Sequence, residues 1–451
     1  MSAQNFQNYY KNLLGEEEFD LFRSALNKFY PKAFRINTLK WTVSDFQKWA
    51  KKEGWKVEKI PFCKDGFYIN LPENLDKPLG NTIPHLAGYG YIQGATSMYP
   101  VELLNVQEGD VVLDLCSSPG GKTTHIAEKL KNRGFVIANE ISPARIIQLK
   151  ENIYRLGIWN YAVTNLNPSY FEKNYRNIFD RILVDAPCSG EGMIAKSNEV
   201  MQRWDIKYIE GFARMQVKIL SSAFEALKPD GHMVYSTCTM NEVENEGVLN
   251  EMEKIYGKSF KVLKVKKFWP HKDNVEGFFS ALITKKSDGY ELVSPNLRYQ
   301  NNRKISEGKR LWNIYPYKKS HEILKRFAKF FGFELPEFFK NITVVEHENT
   351  LWIQSSIFWN FFRFLPVKSL GLPFAKKRRE HDIDFVSDIS NAFGYLFKNF
   401  IKLDDKQAEQ FLSNNEVKGD FGDKRISALK NDIFAIGIAK ASGERVIRVK
   451  S

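Results

Sequence analysis

Two cysteines, Cys188 and Cys238, are the residues best suited to covalent chemistry in this sequence. Cys188 closes the run Val184–Cys188 and Cys238 closes the run Tyr235–Cys238, and each run follows a predicted strand. Open α/β sheets bind their ligands at the carboxyl ends of the strands. If the two strands are neighbours, both thiols reach one pocket. A free cysteine taken alone is most often a small buried hydrophobe, so the surrounding motifs decide between the two interpretations.

A glycine-rich turn upstream indicates a nucleotide-like ligand. The segment Leu113–Thr123 runs from a predicted strand through Gly120 and Gly121 into a helix. Glycine lets the backbone approach a ligand closely, and the start of the helix offers free N–H groups. The end of the turn matches a phosphate-binding P-loop, but Cys116 replaces the first glycine of that motif. The turn also lacks the G-x-G-x-x-G motif of dinucleotide-binding folds.

S-adenosylmethionine is the purine ligand that stays compatible with this turn. Its ribose diol requires an acidic residue at the end of the second strand. Glu140 stands there, about twenty residues after Gly120, which is the spacing of ribose-binding acids in doubly wound folds. A carboxylate at a strand end can equally be a solvent-facing cap. The combination of Glu140 with the turn therefore predicts S-adenosylmethionine as the cofactor.

Paired thiols beside such a cofactor fit covalent chemistry on a cytosine base. C5 of cytosine is a poor nucleophile, and addition of a thiolate at C6 activates it for methylation. Cysteine suits this role because its thiolate is both a strong nucleophile and a workable leaving group. One thiol would attack and the other would assist release. Asp185, at the carboxyl end of its strand, could hydrogen-bond N3 of the base or contact the cofactor.

The elements that must position these residues alternate from about residue 111 to residue 286. Short apolar runs alternate there with helical periodicity, which is typical of a doubly wound α/β sheet. Ser142 is the predicted N-cap of a helix that opens with Pro143 and ends at Gly157. The predicted strands are Val111–Leu115, Phe135–Asn139, Tyr161–Thr164, Arg181–Asp185, His232–Ser236 and Phe278–Ile283.

The bulk composition indicates a globular protein with an anionic partner. A chain of 451 residues predicts two or three domains, and 43% hydrophobic with 26% charged residues is ordinary for a globular protein. The formal net charge of +13 favours binding to nucleic acid. The four cysteines form no C-x-x-C pair, which argues against a disulfide framework and a zinc site. With no signal peptide or apolar membrane-spanning run, the expected location is the cytoplasm.

Two basic stretches follow the alternating region. Residues 301–330 carry nine Lys or Arg against two acids, and Trp312, Tyr315 and Tyr317 are interleaved among them. Basic groups beside aromatics favour binding of single-stranded or distorted nucleic acid. The alternative is a solvated helical face whose aromatics are buried. A second basic run, Lys376–Arg379, falls in a predicted linker before a β-rich tail.

Three separated motifs resemble the Nop/Sun family of RNA cytosine-C5 methyltransferases. They are Asp114–Thr123, Asp185–Gly192 and Ser236–Thr239. An upstream block, Leu79–Gln93, is similar more narrowly to the bacterial 16S ribosomal RNA methyltransferase F type. The match covers about residues 34 to 247, and the length of chain beyond it favours this type over shorter relatives.

The resemblance implies a role for each motif residue. Cys238, in the Thr-Cys motif, would be the nucleophile, Cys188 would help to break the adduct, and Asp185 would be the third catalytic residue. Asn167 stands where the family has an adenine-side Asp, and an amide can still bond the adenine edge. No metal is implied. The residues expected around S-adenosylmethionine are Cys116, Ser117, Ser118, Pro119, Gly120, Gly121, Lys122, Glu140, Asn167 and Asp185.

The resemblance also implies a domain order and a function. A Rossmann-like class I methyltransferase sheet, residues 101–290, would follow a ferredoxin-like α+β module, residues 1–100. A basic connecting region, residues 291–380, would lead to a PUA-like RNA-binding region, residues 381–451. The expected activity of this monomer is methylation of a cytosine at C5 in 16S ribosomal RNA, near the decoding region of the small subunit, without a membrane partner. The alternatives are a tRNA cytosine-C5 methyltransferase and a non-catalytic RNA-binding assembly factor.

Overall fold

The computed structural model describes residues 2–28, 30–196, 199–287, 312–379, 382–419, 421, 426–441 and 445–450. The basic residues at positions 303, 304, 309 and 310 lie outside these ranges. Within the ranges, no helix combines the length and the apolar character needed to cross a membrane.

The first module pairs helices with a small antiparallel sheet. Its sheet has the order β2-β3-β1-β4, and from β1 onward the elements follow the βαββαβ order of ferredoxin-like motifs. The sheet and α3 bury the aromatic side chains of Phe34, Phe46 and Phe67 against each other. The elements are α1 (Ser2–Leu14), α2 (Glu16–Ala25), β1 (Ala33–Ile36), α3 (Val43–Lys52), β2 (Lys56–Lys59), β3 (Gly66–Asn70), α4 (Ile83–Leu86) and β4 (Gly90–Gln93).

The central part of the chain alternates strands with helices. Its elements are α5 (Tyr99–Leu104), β5 (Val111–Asp114), α6 (Gly121–Lys129), β6 (Phe135–Asn139), α7 (Pro143–Leu156), β7 (Tyr161–Thr164), α8 (Ser169–Asn174), β8 (Phe179–Asp185), α9 (Glu199–Gln202), α10 (Ile206–Ala226), β9 (Leu227–Thr237), α11 (Glu246–Tyr256), β10 (Phe260–Phe268), α12 (Pro270–Asp273) and β11 (Phe278–Lys285). All six predicted strands are present, which confirms the α/β fold class.

These strands form one mixed sheet in the order β10-β11-β9-β8-β5-β6-β7. Strands β5 to β9 pair in parallel, and β11 runs antiparallel to β9 and β10. Helix α7 begins at Pro143 and ends at Gly157, whose φ of +77° is left-handed, as the sequence predicted. The Ser142 side chain makes no capping hydrogen bond. The carboxyl ends of β5, β6, β8 and β9 therefore share one edge of the sheet.

The C-terminal part contributes two further small sheets, in the orders β12-β13-β14-β16-β17 and β18-β20-β21-β22-β19, while β15 pairs with β7 at the edge of the central sheet. Its elements are β12 (Asn313–Ile314), α13 (Tyr317–Phe331), β13 (Ile342–His347), β14 (Thr350–Ser355), β15 (Ser369–Leu370), β16 (Leu372–Arg379), β17 (Asp382–Phe385), α14 (Asp388–Phe393), β18 (Ile401–Lys402), α15 (Asp405–Asn414), β19 (Glu416–Lys418), β20 (Ser427–Lys430), β21 (Ala435–Ala441) and β22 (Arg445–Arg448).

The basic run Lys376–Arg379 is not a linker, and that prediction was wrong. The run ends strand β16, where Lys377 binds the Glu346 carboxylate of β13 at 3.1 Å and Arg378 pairs with Asp384 of β17. Acids on other strands of the same sheet therefore pair with two cations of the run. The sequence pattern around the run does not show these partners.

The aromatics of the first basic stretch divide between core and surface. Tyr315 is buried, and its hydroxyl donates to Glu346, whereas Tyr317 is 60% exposed. Helix α13 turns Leu324 and Phe327 inward and its basic side chains outward. The structure thus buries Tyr315 and exposes Tyr317, and binding of nucleic acid by this stretch stays a prediction.

The two ends of the chain pack against each other. The Trp41 ring of the first module contacts the Phe434 ring edge to face, with ring centroids 5.4 Å apart. Phe411 belongs to the same buried cluster. Trp159, just before β7, is buried among residues of the C-terminal sheets. Both flanking modules therefore share cores with other parts of the molecule and hold the central sheet between them.

Candidate active site

The structure brings the two motif thiols together. Cys188 lies three residues beyond β8 and Cys238 directly follows β9, and the sulfur atoms are 3.1 Å apart. Parallel pairing of Asp185 with Ser236 sets this register. The loops after the strands are also joined, because the Gly192 N–H donates to the Cys238 carbonyl at 2.8 Å. Two positions that are distant in sequence thus form one site at the carboxyl edge.

The two sulfur atoms differ in their surroundings. The hydrogen bond with Cys238, followed by burial, raises the pKa of the Cys188 thiol well above its ordinary value. Cys188 therefore keeps its proton at neutral pH and can offer it to the neighbouring sulfur. A protonated Cys188 thiol is thus fixed beside the Cys238 sulfur.

Asp185 connects the thiols to the glycine turn. Its Oδ1 accepts a hydrogen bond from the Ser236 hydroxyl at 2.7 Å, and its Oδ2 binds the Lys122 ammonium at 2.7 Å. Lys122 stands in the first turn of α6, and its Nζ lies 5.4 Å from the centre of the Phe278 ring. The carboxylate is therefore held in one orientation at the end of β8, where it is still partly exposed.

The glycines of the turn have two different functions. Gly120 adopts a φ of +105°, which side-chain-bearing residues rarely adopt. At Gly121, an added Cβ would come within 2.7 Å of the Gln93 Oε1 atom and 2.9 Å of the Tyr91 ring. The absence of a side chain at Gly121 is thus required for packing against strand β4.

The residues between β5 and α6 are fixed by the neighbouring strand and helix. The Ser117 hydroxyl donates to the Asn139 carbonyl at 2.9 Å, and the Ser118 hydroxyl donates to the Arg145 carbonyl at 2.9 Å. Burial and nearby carboxylates raise the pKa of the Cys116 thiol, so it stays protonated. Cys116 therefore has the surroundings of a packing residue in the wall of the turn, not of a reactive thiolate.

Glu140 follows β6 and is almost fully buried, at 3% exposure. Its Oε1 accepts the Ser142 N–H at 2.8 Å, and its Oε2 lies 3.4 Å from the Arg145 guanidinium. The alternative of a solvent-facing cap is therefore excluded. The bond from the Ser142 N–H fixes the residue just before α7, whose first-turn N–H groups receive no cap from the Ser142 side chain. Asn167 lies after the next strand, is exposed, and accepts the Ser169 N–H through its Oδ1 at 3.1 Å.

Asp114, at the end of β5, is a residue whose individual importance the sequence analysis missed. It is fully buried, and its Oδ2 accepts the Thr123 hydroxyl at 2.6 Å. Its Oδ1 has no hydrogen-bond partner. Burial raises its pKa to about 7, although the bond from Thr123 opposes the shift. Its place at the head of the glycine motif was the signal that could have identified it.

Two buried glutamates near the thiols were also missed. Glu191 follows Cys188 by three residues, and Glu244 follows Cys238 by six. Glu244 accepts the Ser189 N–H at 3.0 Å and the Gln216 amide at 2.8 Å. Burial raises the pKa of Glu244. Acidic residues so close to the cysteine motifs were the available signal.

A separate cluster holds three residue types that can bind metals. Cys63, Glu102 and His125 offer ligand atoms within 4.8 Å of one another. The Glu102 carboxylate is already bound by the Lys129 ammonium at 2.8 Å, and burial lowers the pKa of His125 to about 4. A lysine therefore supplies the cation that this carboxylate needs.

Known sequences match nearly the whole chain. The family described as "16S rRNA methyltransferase RsmB/F" matches residues 101–284, and "N-terminal domain of 16S rRNA methyltransferase RsmF" matches residues 3–95. The ribosomal RNA small subunit methyltransferase F of Shewanella oneidensis is 31% identical, over 90% of this chain and 86% of that protein. This chain belongs to the RsmB/F family. The protein of the same name from Vibrio cholerae strain M66-2 is 32% identical, over 94% of this chain and 91% of its own.

Solved structures place this RsmB/F-family chain among the methyltransferases. A methyltransferase homologue from Pyrococcus horikoshii is 30% identical, with a TM-score of 0.55 over 62% of this chain and 93% of its own. NSun6 from the same organism, determined with SFG, is 27% identical, with a TM-score of 0.56 over 62% of this chain and 97% of its own. The earlier resemblance is confirmed. The cofactor of the family is S-adenosylmethionine.

The residues at this edge fit that cofactor. The unpartnered Asp114 Oδ1 is a buried acceptor at the turn, and the Gly121 N–H opens a helix at the same place. The Glu140 carboxylate ends the second strand, where a ribose diol is bound in doubly wound folds. These residues supply carboxylate acceptors, which the ribose hydroxyls of a sulfonium nucleoside require. They also supply free N–H groups at a helix start, which its carboxylate tail requires.

Proposed function

We propose that this chain methylates C5 of a cytosine in 16S ribosomal RNA, near the decoding region of the small subunit. The observation that carries the proposal is the 3.1 Å approach of the Cys188 and Cys238 sulfur atoms beside the glycine turn. The names of the relatives, ribosomal RNA small subunit methyltransferase F, support the substrate. A cytoplasmic location belongs to the same proposal.

Cys238 is the nucleophile in this proposal. Its sulfur forms a bond to C6 of the target cytosine, and the electrons of the C5–C6 double bond then make C5 nucleophilic. After C5 has been methylated, the C5 proton is lost to a base. The double bond re-forms, and the C6–sulfur bond breaks. A thiolate suits both steps because it attacks readily and leaves readily.

Cys188 acts in the release step. The raised pKa of its thiol keeps the proton on its sulfur, 3.1 Å from Cys238. A hydrogen bond from this S–H stabilises the negative charge that develops on the departing Cys238 sulfur. Addition needs no such help from Cys188, since the attacking thiolate is then losing its charge. The two thiols therefore divide the reaction between attack and release.

Asp185 orients the reacting base. Ser236 and Lys122 hold its carboxylate from two sides, at 2.7 Å each. When the adduct forms, negative charge shifts toward N3 of the cytosine and N3 takes up a proton from water, so that a fixed carboxylate can accept a hydrogen bond from the resulting N3–H. Because its oxygen atoms are anchored in advance, little reorganisation is needed as charge develops on the base.

S-adenosylmethionine supplies an electrophilic methyl group when it is bound. We assign Glu140 to its ribose and Asn167 to its adenine edge, since each follows a strand at this edge. The Asn167 amide nitrogen is left to donate, because the Oδ1 of the same side chain already accepts the Ser169 N–H. The turn residues 116–122 form the remaining wall, and their hydroxyls are fixed by backbone carbonyls rather than free to move.

A cleft in the C-terminal part supports binding of the RNA. It has a volume of about 860 Å³, and Phe330 and Phe400 line it at 47% and 40% exposure. Arg326 and Lys398 line the same cleft, as do Asp382 and Asp384, and Asp384 is paired with Arg378. Exposed aromatic faces next to cations suit unpaired bases and phosphates. We propose that this cleft holds a segment of ribosomal RNA away from the reacting base.

Bisulfite sequencing of ribosomal RNA from a deletion strain tests the substrate. One cytosine of 16S ribosomal RNA should lose its protection, and expression of the chain should restore it. Purified protein should modify small subunits rather than tRNA transcripts. Modification of tRNA alone would favour the tRNA alternative, and unchanged protection in every RNA would favour the non-catalytic assembly factor.

A further inference from the structure

Glu191 is the acceptor for five hydrogen-bond donors and is fully buried. Its Oε1 accepts the Trp204 indole N–H at 2.5 Å. Its Oε2 accepts the Tyr10 hydroxyl at 2.5 Å and three further donors. These three are the Thr239 hydroxyl, the Met240 N–H at 2.9 Å and the Asn241 N–H at 3.0 Å.

The three further donors are the consecutive residues after Cys238. Glu191 itself belongs to the loop after Cys188, so one carboxylate joins the two thiol loops. A second tie runs the other way, from the Gly192 N–H to the Cys238 carbonyl at 2.8 Å. At Gly192 an added Cβ would come within 2.0 Å of the Gly277 carbonyl oxygen, so this loop cannot shift outward. The path of the chain on leaving β9 is therefore set by Glu191.

Tyr10 brings the first helix into this network. Burial, followed by the Glu191 charge, raises the pKa of Tyr10 well above its ordinary value, so the hydroxyl is a donor. The Tyr10 ring packs against Phe22 of α2 and edge-on against Trp269. Helices α1 and α2 are thus docked on the two thiol loops, and the polar contacts of α1 include the Tyr10–Glu191 bond and the Tyr9 hydroxyl, which accepts the Glu242 N–H at 3.1 Å.

Burial of the Glu191 carboxylate carries a desolvation penalty in free energy. An apolar residue of similar volume often gives equal or greater stability than buried charge, whereas a satisfied polar network fixes one geometry. Position matters at Cys238, because a displacement of about 1 Å in a reacting group can cost about 100-fold in rate. The network therefore makes more sense as a device for placing a sulfur atom than as a source of stability.

We propose that Glu191 and Tyr10 are positioning residues that hold the Cys238 loop in its reactive geometry. The inference rests on the proposed role of Cys238 as nucleophile. It makes helix α1 a part of the apparatus that positions the nucleophile. Both residues act through the backbone after Cys238.

The test compares Tyr10→Phe and Glu191→Gln with the control Phe19→Leu. Phe19 is buried in the same cluster, so its truncation lowers stability without touching the network. The variants are assayed on small ribosomal subunits for kcat and KM, and thermal unfolding is measured alongside. We expect kcat to fall about tenfold for Tyr10→Phe and about 100-fold for Glu191→Gln. KM for the subunits should stay within about twofold, and the control should keep its kcat.

Trapping the adduct separates this inference from the proposed function. RNA carrying 5-fluorocytosine at the target cannot lose a C5 proton, so it holds the Cys238 adduct on a denaturing gel. The wild-type chain should form this band, and its absence would refute the proposed function. If the wild type forms it and both network variants form it at the wild-type rate, the positioning role is refuted. A kcat loss in Phe19→Leu equal to that in Tyr10→Phe would also overturn the inference, since lowered stability would then explain both.

Discussion

The guanidinium of Arg35 and the carboxylate of Glu128 form a buried two-point ion pair, with Nε–Oε2 and Nη2–Oε1 distances of 3.0 Å. Arg35 lies on β1 and Glu128 on α6, so the pair joins the first module to the helix that follows the glycine turn. The same guanidinium donates to the Gly121 carbonyl at 2.6 Å. The first module therefore fixes the position of the glycine turn.

Replacement of Arg35 by Met should strongly destabilise the fold. It leaves the Glu128 carboxylate buried without its partner, and loss of one member of such a pair costs about 3–5 kcal/mol in unfolding free energy. The double variant R35M/E128M should recover most of this loss, because neither side chain then needs a partner. Urea unfolding followed by circular dichroism measures both. A double variant no more stable than R35M would contradict the explanation.

Removal of the Cys238 sulfur should abolish methyl transfer while RNA binding survives. Without a nucleophile at C6, C5 cannot be activated, so Cys238→Ala should lower the rate by at least about 10³-fold. Incorporation of labelled methyl groups into ribosomal RNA measures the rate, and filter binding measures the affinity. Cys63→Ala is the matched control, because that buried thiol lies outside the thiol site. Substantial turnover in Cys238→Ala would refute the nucleophile assignment.

Removal of the Cys188 sulfur should instead cause the covalent Cys238–RNA adduct to accumulate. Cys238 can still attack C6, but its departing sulfur then has no S–H donor at 3.1 Å. A protein–RNA band that resists denaturation should appear on gels of Cys188→Ala and be absent from Cys238→Ala. Normal turnover of Cys188→Ala without such a band would show that release proceeds by another route.

Asp114 should make stability depend on pH. Burial raises its pKa to about 7 from its ordinary value of 3.8. A raised pKa means that the contribution to stability is complete below the unfolded value and is lost as pH rises through the folded value. The wild type should therefore lose about 4 kcal/mol relative to Asp114→Asn as the pH rises from about 3 to about 8. Urea titrations of both proteins at several pH values measure the difference, and a constant difference would contradict the shift.

The central sheet and the thiol pair could be predicted from the sequence for a local reason. Each strand is a short apolar run, and the chemical residues directly follow these runs, as Cys238 follows β9. Parallel strands bring such positions to one edge without any knowledge of distant contacts. The helix from Pro143 to Gly157 was found in the same way, since its start and stop signals are adjacent in the sequence.

What the sequence could not predict depends on partners that are distant in the chain. Glu191 accepts a hydrogen bond from Tyr10, and the Lys377 ammonium forms an ion pair with the Glu346 carboxylate. Both partners lie far away in the sequence. The close packing of Gly121 against Gln93 could not be predicted either, because Gln93 belongs to a different module. Local sequence patterns predict the helices, the strands and the motif residues at strand ends. The contacts between modules form only once the chain has folded, so these patterns do not predict them.

Charge reversal in the C-terminal cleft should weaken RNA binding without changing the chemistry. Arg326→Glu and Lys398→Glu each remove a cation beside the exposed rings of Phe330 and Phe400. A lost phosphate contact reduces the slope of log affinity against log salt concentration by about 1. We expect KM for small subunits to rise about tenfold in each variant and kcat to stay the same, because no residue that lines the cleft belongs to the thiol site or to the glycine turn. Lys254→Glu, at an exposed position on α11, is the matched control. An equal rise in KM for the control would mean that net charge alone, and not this cleft, attracts the RNA.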